Sequence, residues 1–355
     1  MDERNDIMGM LDLMVLPGFC VENSKITKVN SAAQGLLLTP GTDILPLLVT
    51  GRQEYPEFQS GCLHLTLSIG GMDCGASVTR VGDFDIFVLE QEEDQLEFRS
   101  MALAARELRE PLTNVMVTAN RLFPLTSQEE NPELQEQASR LNRGLYQMLR
   151  ILGNMSDAGD IRSSRQETCD IRTVMAEIFD NASTLVQHTG ISLSYSGPQE
   201  DILTLADREQ LERAVLNILS NAVKFTPSGG TIQAELTRKG NLLSLQVQDS
   251  GNGIPEGILP SLFRRYLRQP GIEDSRFGIG LGMVLIRNAA ADHGGTVLID
   301  QPQGSGTRVT LTLALRRESA TQLRSPVLRV DYAGERDHGL LELSESLPAF
   351  LYEKE

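Results

Sequence analysis

Three short polar segments in the second half of the chain constrain what this sequence can fold into. They are residues 217–224 (NILSNAVK), 249–254 (DSGNGI) and 278–282 (GIGLG). In this order they place two amides and a lysine on one predicted helix, a carboxylate before a glycine turn, and a glycine-rich loop before a second helix. Such a set can hold the base, the metal and the phosphates of a nucleotide, so we expect an α/β unit around it.

The first segment lies on a helix predicted near 207–226. Asn217, Asn221 and Lys224 form a polar stripe, one residue out of phase with an apolar face made of Leu211, Val215, Ile218 and Ala222. An amide oxygen is a good magnesium ligand, and a lysine supplies a positive charge to phosphates. Taken alone, the stripe is more typical of a polar helix–strand contact with a solvated lysine.

The second segment follows a predicted strand. Asp249 enters a turn that contains Gly251 and Gly253. A carboxylate in this position can accept the exocyclic amine of adenine, while the glycines let the backbone approach the ring. An ordinary Asp-Ser-Gly turn is the alternative.

The third segment precedes a predicted helix near 280–293. Gly278, Gly280 and Gly282, with Leu281 between them, lead into free backbone amides that attract phosphate. Glycine punctuation of a loop is the alternative, but three such signals in fixed order favour a nucleotide site. The residues between the second and third segments are numerous enough to act as a lid.

Length and charge set the outer bounds. The chain has 355 residues, so we expect two or three domains, and its net charge of −16 disfavours nucleic acid and anionic lipid as general partners. The four cysteines are scattered, which favours idle thiols over a zinc site or a disulfide framework. Without a leader-like segment or an apolar run long enough for a membrane span, the sequence predicts a cytoplasmic protein.

The hydrophobic patterns predict five segments. Residues 1–90 alternate as in a small antiparallel sheet with a few helices, and 159–168 are polar and turn-forming, typical of a linker. Residues 169–315 predict the α/β unit. The tail, 316–355, contains a strand candidate at 326–330 and an apolar periodicity at Leu340, Leu341, Leu343 and Leu347. Its simplest interpretation is a strand and a helix docked on the preceding unit, and contact with a partner is the alternative.

The remaining segment, 91–158, predicts an antiparallel helical hairpin. Two apolar seams recur at four- and three-residue steps, and one hairpin has too little facing surface to bury both. We therefore expect a dimeric four-helix bundle. The seam residues are Met101, Ala105, Leu108, Leu112, Val115, Ala119 and Leu122 in the first helix, and Leu134, Ala138, Leu141, Leu145, Met148, Leu152 and Met155 in the second.

Residues 207–315 resemble the ATP-binding domain of histidine kinases, whose wider ATPase superfamily includes the Hsp90 chaperones and type II topoisomerases. The resemblance is carried by four sequence boxes and by two later glycine motifs. It implies a flattened α/β sandwich that binds Mg-ATP, in which Asn221 ligates magnesium, Lys224 contacts phosphate, Asp249 reads adenine and Thr307 supports that carboxylate. The boxes are 211–226, 249–254, 262–266 and 278–282, and the later motifs are 293–295 and 304–307.

The resemblance extends upstream. The hairpin is similar to the kinase dimerisation bundle, and the region 1–90 resembles a PAS sensor domain, chiefly through residues 19–30. It implies an α+β multidomain protein: a PAS-like sensor, a helical hairpin and an α/β-sandwich ATP-binding domain. It further implies a sensor histidine kinase of a two-component system, acting as a homodimer or mixed dimer with a response regulator as partner.

One position departs from the family pattern. The family has His-Glu-Leu-Arg-x-Pro-Leu, where the histidine receives the phosphoryl group, but residues 106–112 read RELREPL. The guanidinium of Arg106 stays protonated and is a very poor nucleophile, so self-phosphorylation there is not expected. Glu107 retains the family's acid/base position. Arg106 is either a drifted surface residue or an electrostatic ligand for phosphate.

Three functions therefore stay open. The first is a kinase-like protein that transfers phosphate to a partner's histidine in a mixed dimer, or to a non-standard acceptor. The second is a non-catalytic, ATP-dependent signalling scaffold, or pseudokinase. The third is a protein kinase of the anti-sigma-factor type, which the long hairpin and the PAS-like region disfavour.

Overall fold

The computed structural model of the chain describes residues 9, 11–90, 92–128, 132–159, 166–255, 262–263, 280–302, 306–316 and 336–353. They belong to two compact units. Unit 1 comprises residues 1–95, 235–248 and 252–314, and unit 2 comprises residues 96–234, 249–251 and 315–355. Both units combine helices with strands, which confirms the predicted α+β class. None of the helices in the described ranges is long and apolar enough to cross a membrane.

The described residues form the following helices and strands. The helices are α1 (Glu54–Glu57), α2 (Glu92–Gln128), α3 (Pro132–Gly159), α4 (Ile171–Val186), α5 (Arg208–Phe225), α6 (Leu281–Asp292) and α7 (His338–Glu342). The strands are β1 (Gly18–Glu22), β2 (Lys25–Val29), β3 (Cys62–Ile69), β4 (Met72–Val81), β5 (Phe84–Leu89), β6 (Glu167–Asp170), β7 (Ser192–Ser196), β8 (Leu203–Ala206), β9 (Thr231–Lys239), β10 (Leu242–Asp249), β11 (Val297–Asp300) and β12 (Arg308–Ala314).

Unit 1 is built on one antiparallel sheet with the strand order β2-β1-β5-β4-β3-β11-β12-β10. The sheet joins strands that the sequence assigns to two separate segments, because β3 pairs with β11 and His64 lies opposite Val297. Each of these strands would otherwise present an unpaired edge, and edge strands readily find partners. The division of the chain into five segments stays a prediction.

The core of the first five strands is aromatic and aliphatic. Phe19 and Phe87 stack with their ring centroids 4.8 Å apart, and Tyr55 meets Phe87 edge-on. Asn30 is fully buried just after β2, where its Oδ1 accepts hydrogen bonds from the backbone N–H groups of Gly18 and Ala33. Buried amides need such partners, and these bonds fix the start of the sheet.

Unit 2 contains a two-stranded sheet that the sequence did not predict. β6 pairs antiparallel with β8, so that Cys169 lies opposite Thr204. The sequence pattern places residues 167–168 in the linker, because a four-residue polar strand shows no apolar alternation. Residues 160–165 of that predicted linker lie outside the described residues.

The predicted apolar seams of the long helices α2 and α3 are only partly buried. In α2 the predicted seam residues Ala105, Leu112 and Ala119 are buried, whereas Leu108 and Val115 are exposed, Leu108 to 53%. In α3 the buried residues include Leu145 and Leu152, whereas Leu141 and Met148 are exposed. The alternate members of each predicted seam therefore remain accessible in the single chain.

Candidate nucleotide site

Helix α5 carries the first group of predicted site residues in unit 2. Asp207 caps its N terminus by accepting a hydrogen bond from the N–H of Gln210 at 3.1 Å, and Thr226 closes it by donating from Oγ1 to the carbonyl of Ala222. The apolar face is buried as predicted, through Leu211, Val215, Ile218 and Ala222. The four-three spacing thus fixes which side of the helix the polar stripe occupies.

The polar stripe runs from buried to half-buried. Asn217 is buried, and its Nδ2 donates to the carbonyl of Arg213 at 2.9 Å. Its Oδ1 has no hydrogen-bond partner among the described residues, although a buried amide oxygen normally has one. Asn221 and Lys224 lie further along and are half-buried. The stripe therefore presents amide oxygens and one ammonium group.

The Asp249–Gly251 turn lies against the C-terminal end of α5, also in unit 2. Asp249 is buried, and its Oδ1 accepts a hydrogen bond from the N–H of Gly251 at 2.8 Å. A Cβ on residue 251 would overlap the carbonyl oxygen of Phe225, which directly follows Lys224. Only glycine allows this close approach, so the structure brings the predicted carboxylate turn beside the end of the lysine-bearing helix.

The other predicted nucleotide residues belong to unit 1. Gly253 and Gly280 both have a left-handed backbone, with φ of 71° and 80°, and Gly280 is the N-cap of α6. Leu281 is buried, while Gly282 and Thr307 are half-buried. Gly278 and most of the predicted lid lie outside the described residues. Within the described part, the twelve-residue helix α6 begins at the position for which the sequence predicts phosphate-binding backbone amides.

The predicted phosphoacceptor position lies on α2 in unit 2. Arg106 follows the buried Ala105 and is itself exposed, as is Glu107. A side chain at residue 106 can therefore meet a reacting group from outside the helix.

The site also contains an ion cluster that sequence reasoning missed. Glu342, at the end of α7, is 0% exposed and lies between two guanidinium groups, with the Nε of Arg150 at 3.2 Å and the Nε of Arg213 at 3.3 Å. Arg213 also pairs with Asp157 and donates to Asn154. Glu342 further accepts a longer hydrogen bond, 3.4 Å, from Asn217 Nδ2 on the polar stripe.

A second carboxylate from the same segment reaches the predicted phosphate lysine. Glu345 Oε2 lies 2.7 Å from Lys224 Nζ, and its Oε1 lies 3.2 Å from Arg150 Nη1. Burial by itself would raise the pKa of the Glu345 carboxyl, but attraction to Arg150 and Lys224 outweighs it, and the pKa lies below its ordinary value of 4.5. Glu345 is therefore ionised at neutral pH.

The residues 336–353, here called the C-terminal segment, dock on three helices of unit 2. On α3, Arg143 donates to the carbonyls of Ser344 and Glu345, and Asn142 donates to that of Tyr352. Gly339 packs so closely on α4 that a Cβ there would lie 2.7 Å from a methyl carbon of Leu185. The tail's apolar periodicity predicts a helix docked on residues 169–315. The short helix α7 does contact α4 and α5 of that range, but the segment also docks on α3 of the predicted hairpin, which the sequence analysis did not expect. The strand candidate at 326–330 lies outside the described residues.

Comparison with known families identifies the domain that carries this site. Residues 206–317 match the family described as histidine kinase-, DNA gyrase B- and HSP90-like ATPase. An uncharacterized sensor-like histidine kinase from Rhizobium meliloti is 27% identical over 268 residues, which are 70% of this chain and 50% of that protein. The sensor histidine kinase WalK of Bacillus subtilis is 29% identical over 249 residues, 65% of this chain and 39% of that protein. The chain thus spans half or less of the length of these relatives.

A solved structure adds a likeness of fold. Full-length ShkA in complex with AMPPNP superposes with a TM-score of 0.50 at 21% identity, covering 62% of this chain and 46% of that one. The matched ATPase segment contains every predicted nucleotide residue, from Asn217 to Thr307. The chain therefore contains, over residues 206–317, a domain of the histidine kinase-, DNA gyrase B- and HSP90-like ATPase family.

Proposed function

We propose that this chain is a sensor histidine kinase-like protein that binds Mg-ATP and takes part in two-component phosphorelay signalling. The observation that carries the proposal is the polar stripe of α5 beside the Asp249–Gly251 turn, inside the segment that matches the ATPase family. The similarity to sensor histidine kinases over more than 60% of the chain supports the signalling role.

In this proposal Asn221 is the magnesium ligand, with Asn217 beside it. The buried Oδ1 of Asn217, for which the described residues provide no donor, is a hard oxygen of the kind that magnesium and its bound waters contact. These amide oxygens therefore fit the metal. When bound, magnesium neutralises phosphate charge.

The remaining roles follow the same assignment. Asp249 accepts the exocyclic amine of adenine, Thr307 supports that carboxylate, and Gly251 and Gly253 leave room for the ring. Lys224 binds phosphate. The N–H groups at Gly280, Leu281 and Gly282, together with the loop at Gly278, hold the phosphates at the positive end of α6.

Dimerisation is proposed through the exposed apolar faces of α2 and α3. Leu108 and Val115 on one helix, and Leu141 and Met148 on the other, lie on seams whose alternate members are already buried. A second copy, or a related chain, would cover these faces in a four-helix bundle. A response regulator is the proposed partner, and residues 1–90 are the proposed PAS-like sensor.

The fate of the phosphoryl group separates two candidate functions. Because Arg106 cannot accept phosphate, kinase action requires the histidine of a mixed-dimer partner, with Glu107 as the acid/base, or a non-standard acceptor. The second candidate, a non-catalytic scaffold whose conformation ATP controls, is favoured by the same arginine. Arg106 is exposed, so either a partner or a phosphate can reach it.

Calorimetry tests the nucleotide site. We expect Asn221→Asp and Asp249→Asn each to weaken binding of Mg-ATP by about tenfold or more. The first adds a negative charge beside the phosphates, and the second replaces a carboxylate oxygen that accepts from the adenine amine with an amide group that donates. Asn241→Asp makes the same chemical change at an exposed turn position and is the matched control. Unchanged affinity in both site variants would show that the nucleotide assignment is wrong.

Labelling with γ-labelled ATP tests the phosphoryl-transfer role. The wild type is compared with Arg106→His, alone and with a candidate response regulator. Acid-labile label in the variant alone would indicate an intact transfer domain that lacks its acceptor. Label in neither protein, with nucleotide binding intact, would favour the scaffold.

A further inference from the structure

The C-terminal segment brings its two carboxylates to the polar stripe of α5. Glu345 contacts Lys224, the proposed phosphate lysine, and Glu342 contacts Asn217, the neighbour of the proposed metal ligand. Both contacts lie within unit 2. The segment is therefore an internal ligand of the same helix face that the nucleotide is proposed to use.

The docking geometry holds this ligand in one register. Leu341, Leu343 and Leu347 are buried, but apolar burial is non-directional and does not by itself determine which residue of the segment reaches α5. Direction comes from α3, where Arg143 and Gln147 both donate to the carbonyl of Ser344, at 2.9 and 3.0 Å. Since Ser344 directly precedes Glu345, these bonds fix the residue that reaches Lys224.

The charges of the cluster explain what docking does to the helix face. Three cationic side chains, Arg150, Arg213 and Lys224, are balanced by three carboxylates, those of Glu342, Glu345 and Asp157. Two of these carboxylates belong to the C-terminal segment. With the segment docked the ion-paired cluster is neutral, and without it the cluster carries a net charge of +2. A face of charge +2 attracts a polyphosphate, and a neutral one does not.

We propose that the C-terminal segment inhibits nucleotide binding, with Glu345 occupying Lys224 in place of a phosphate group. The inference rests on the proposed function, since it assumes that Lys224 meets the phosphates of ATP. A carboxylate and a phosphate oxygen are both anionic acceptors for an ammonium group, so they compete for it.

The competition has a reciprocal consequence. While the segment is docked, Lys224 is not accessible to a nucleotide. The apparent affinity for Mg-ATP is therefore the intrinsic affinity multiplied by the fraction of molecules in which Lys224 is accessible. By linkage, bound Mg-ATP must weaken the docking of the segment by the same factor. Nucleotide affinity and segment release are thus two measures of one coupling.

The first test is calorimetry of Mg-ATP binding to the full chain. Glu345→Gln removes the charge and keeps the shape of the side chain, and we expect Mg-ATP to bind about fivefold more tightly, near the upper limit for a partly exposed ion pair. Glu353→Gln makes the same change at an exposed position of the same segment and is expected to leave the affinity unchanged. Equal affinity of wild type and Glu345→Gln would overturn the inference.

The second test is hydrogen exchange of residues 338–352 in the wild type, with and without saturating Mg-ATP. Faster exchange on binding is expected, and unchanged or slower exchange would overturn the inference. The two levels of proposal fail differently. If Asn221→Asp and Asp249→Asn weaken binding but Glu345→Gln does not strengthen it, only the inhibition fails. If none of the proteins binds nucleotide, the proposed function fails, and the inference fails with it.

Discussion

Replacing Glu342 with glutamine tests whether the C-terminal segment is held by its buried charge. The side chain is 0% exposed and contacts two guanidinium groups, at 3.2 and 3.3 Å. Removing one partner of a buried ion pair costs about 3–5 kcal/mol. Because Arg150 keeps Glu345 and Arg213 keeps Asp157, neither cation is left alone, and we expect a smaller loss of about 2–3 kcal/mol.

The loss should appear as local opening of the segment. At 1.4 kcal/mol per factor of ten, docking weakens by about 30- to 150-fold. Native-state hydrogen exchange measures this directly at the amides of Leu341 and Leu343, which donate to the carbonyls of Asp337 and Gly339. Their protection should fall by the same factor, provided that they exchange by opening of the segment.

A matched control separates burial from charge. Glu136 pairs with Arg140 at 2.6 Å on the surface of α3, where both side chains are more than half exposed. Glu136→Gln makes the same chemical change, and an exposed helical pair of this kind contributes only about 0.3–0.5 kcal/mol. If Glu342→Gln lowers protection no more than Glu136→Gln does, the buried cluster does not hold the segment and the reasoning is refuted.

Three further predictions follow from the same geometry. Gly251→Ala should destabilise unit 2 by about 1–3 kcal/mol in urea titration, because its Cβ meets the carbonyl of Phe225, whereas Gly144→Ala, with open space in α3, should stabilise by about 0.5–1 kcal/mol. The pKa of Glu345 is lowered, so its charge stabilises docking above pH 4.5 and ceases to do so as the pH falls through the lowered pKa. The difference in hydrogen-exchange protection between wild type and Glu345→Gln should therefore be constant from about pH 7 to 5 and vanish in stronger acid. Leu108→Glu should shift the chain toward monomer in sedimentation, whereas Leu37→Glu, also on an exposed leucine, should not.

Local signals in the sequence were sufficient for α5 and its polar stripe. The apolar residues of that helix repeat at four- and three-residue steps, and the burial of this face is a direct consequence of that period. The glycine at 251 was also readable, because a carboxylate followed by two glycines is a strong turn signal. What the sequence did not reveal is that the carbonyl of Phe225 makes this glycine necessary.

The ion cluster could not be predicted because its partners are remote along the chain. Arg150 and Glu342 are separated by 192 residues. From the sequence alone, Arg213 is expected on the surface, because arginine is seldom fully buried without a partner. Only the docking of the C-terminal segment supplies that partner. The pairing of β3 with β11 could not be predicted for the same reason, because the pairing of two strands that are distant along the chain leaves no local sequence pattern.

The charges of the C-terminal segment, more than its apolar contacts, determine what can displace it. The stabilisation from burying Leu341, Leu343 and Leu347 does not depend on the anions in solution, because it depends only on the apolar area removed from water. A buried carboxylate such as Glu342 loses its hydration on docking, and its guanidinium partners roughly compensate for that loss. Removing the carboxylate from the docked segment is costly all the same, because Arg150 and Arg213 then stay buried with one partner fewer.

Glu345 differs from Glu342 because its side chain is 32% exposed and Lys224 is 15% exposed, so solvent anions can reach this ion pair. A triphosphate carries several negative charges where Glu345 carries one, and it gains more from a cationic face than one carboxylate loses. Displacement should therefore begin at Lys224, while Glu342 and the buried leucines still hold the rest of the segment. Dicarboxylates and inorganic phosphate, which carry less charge than ATP, should release the segment less effectively at equal ionic strength.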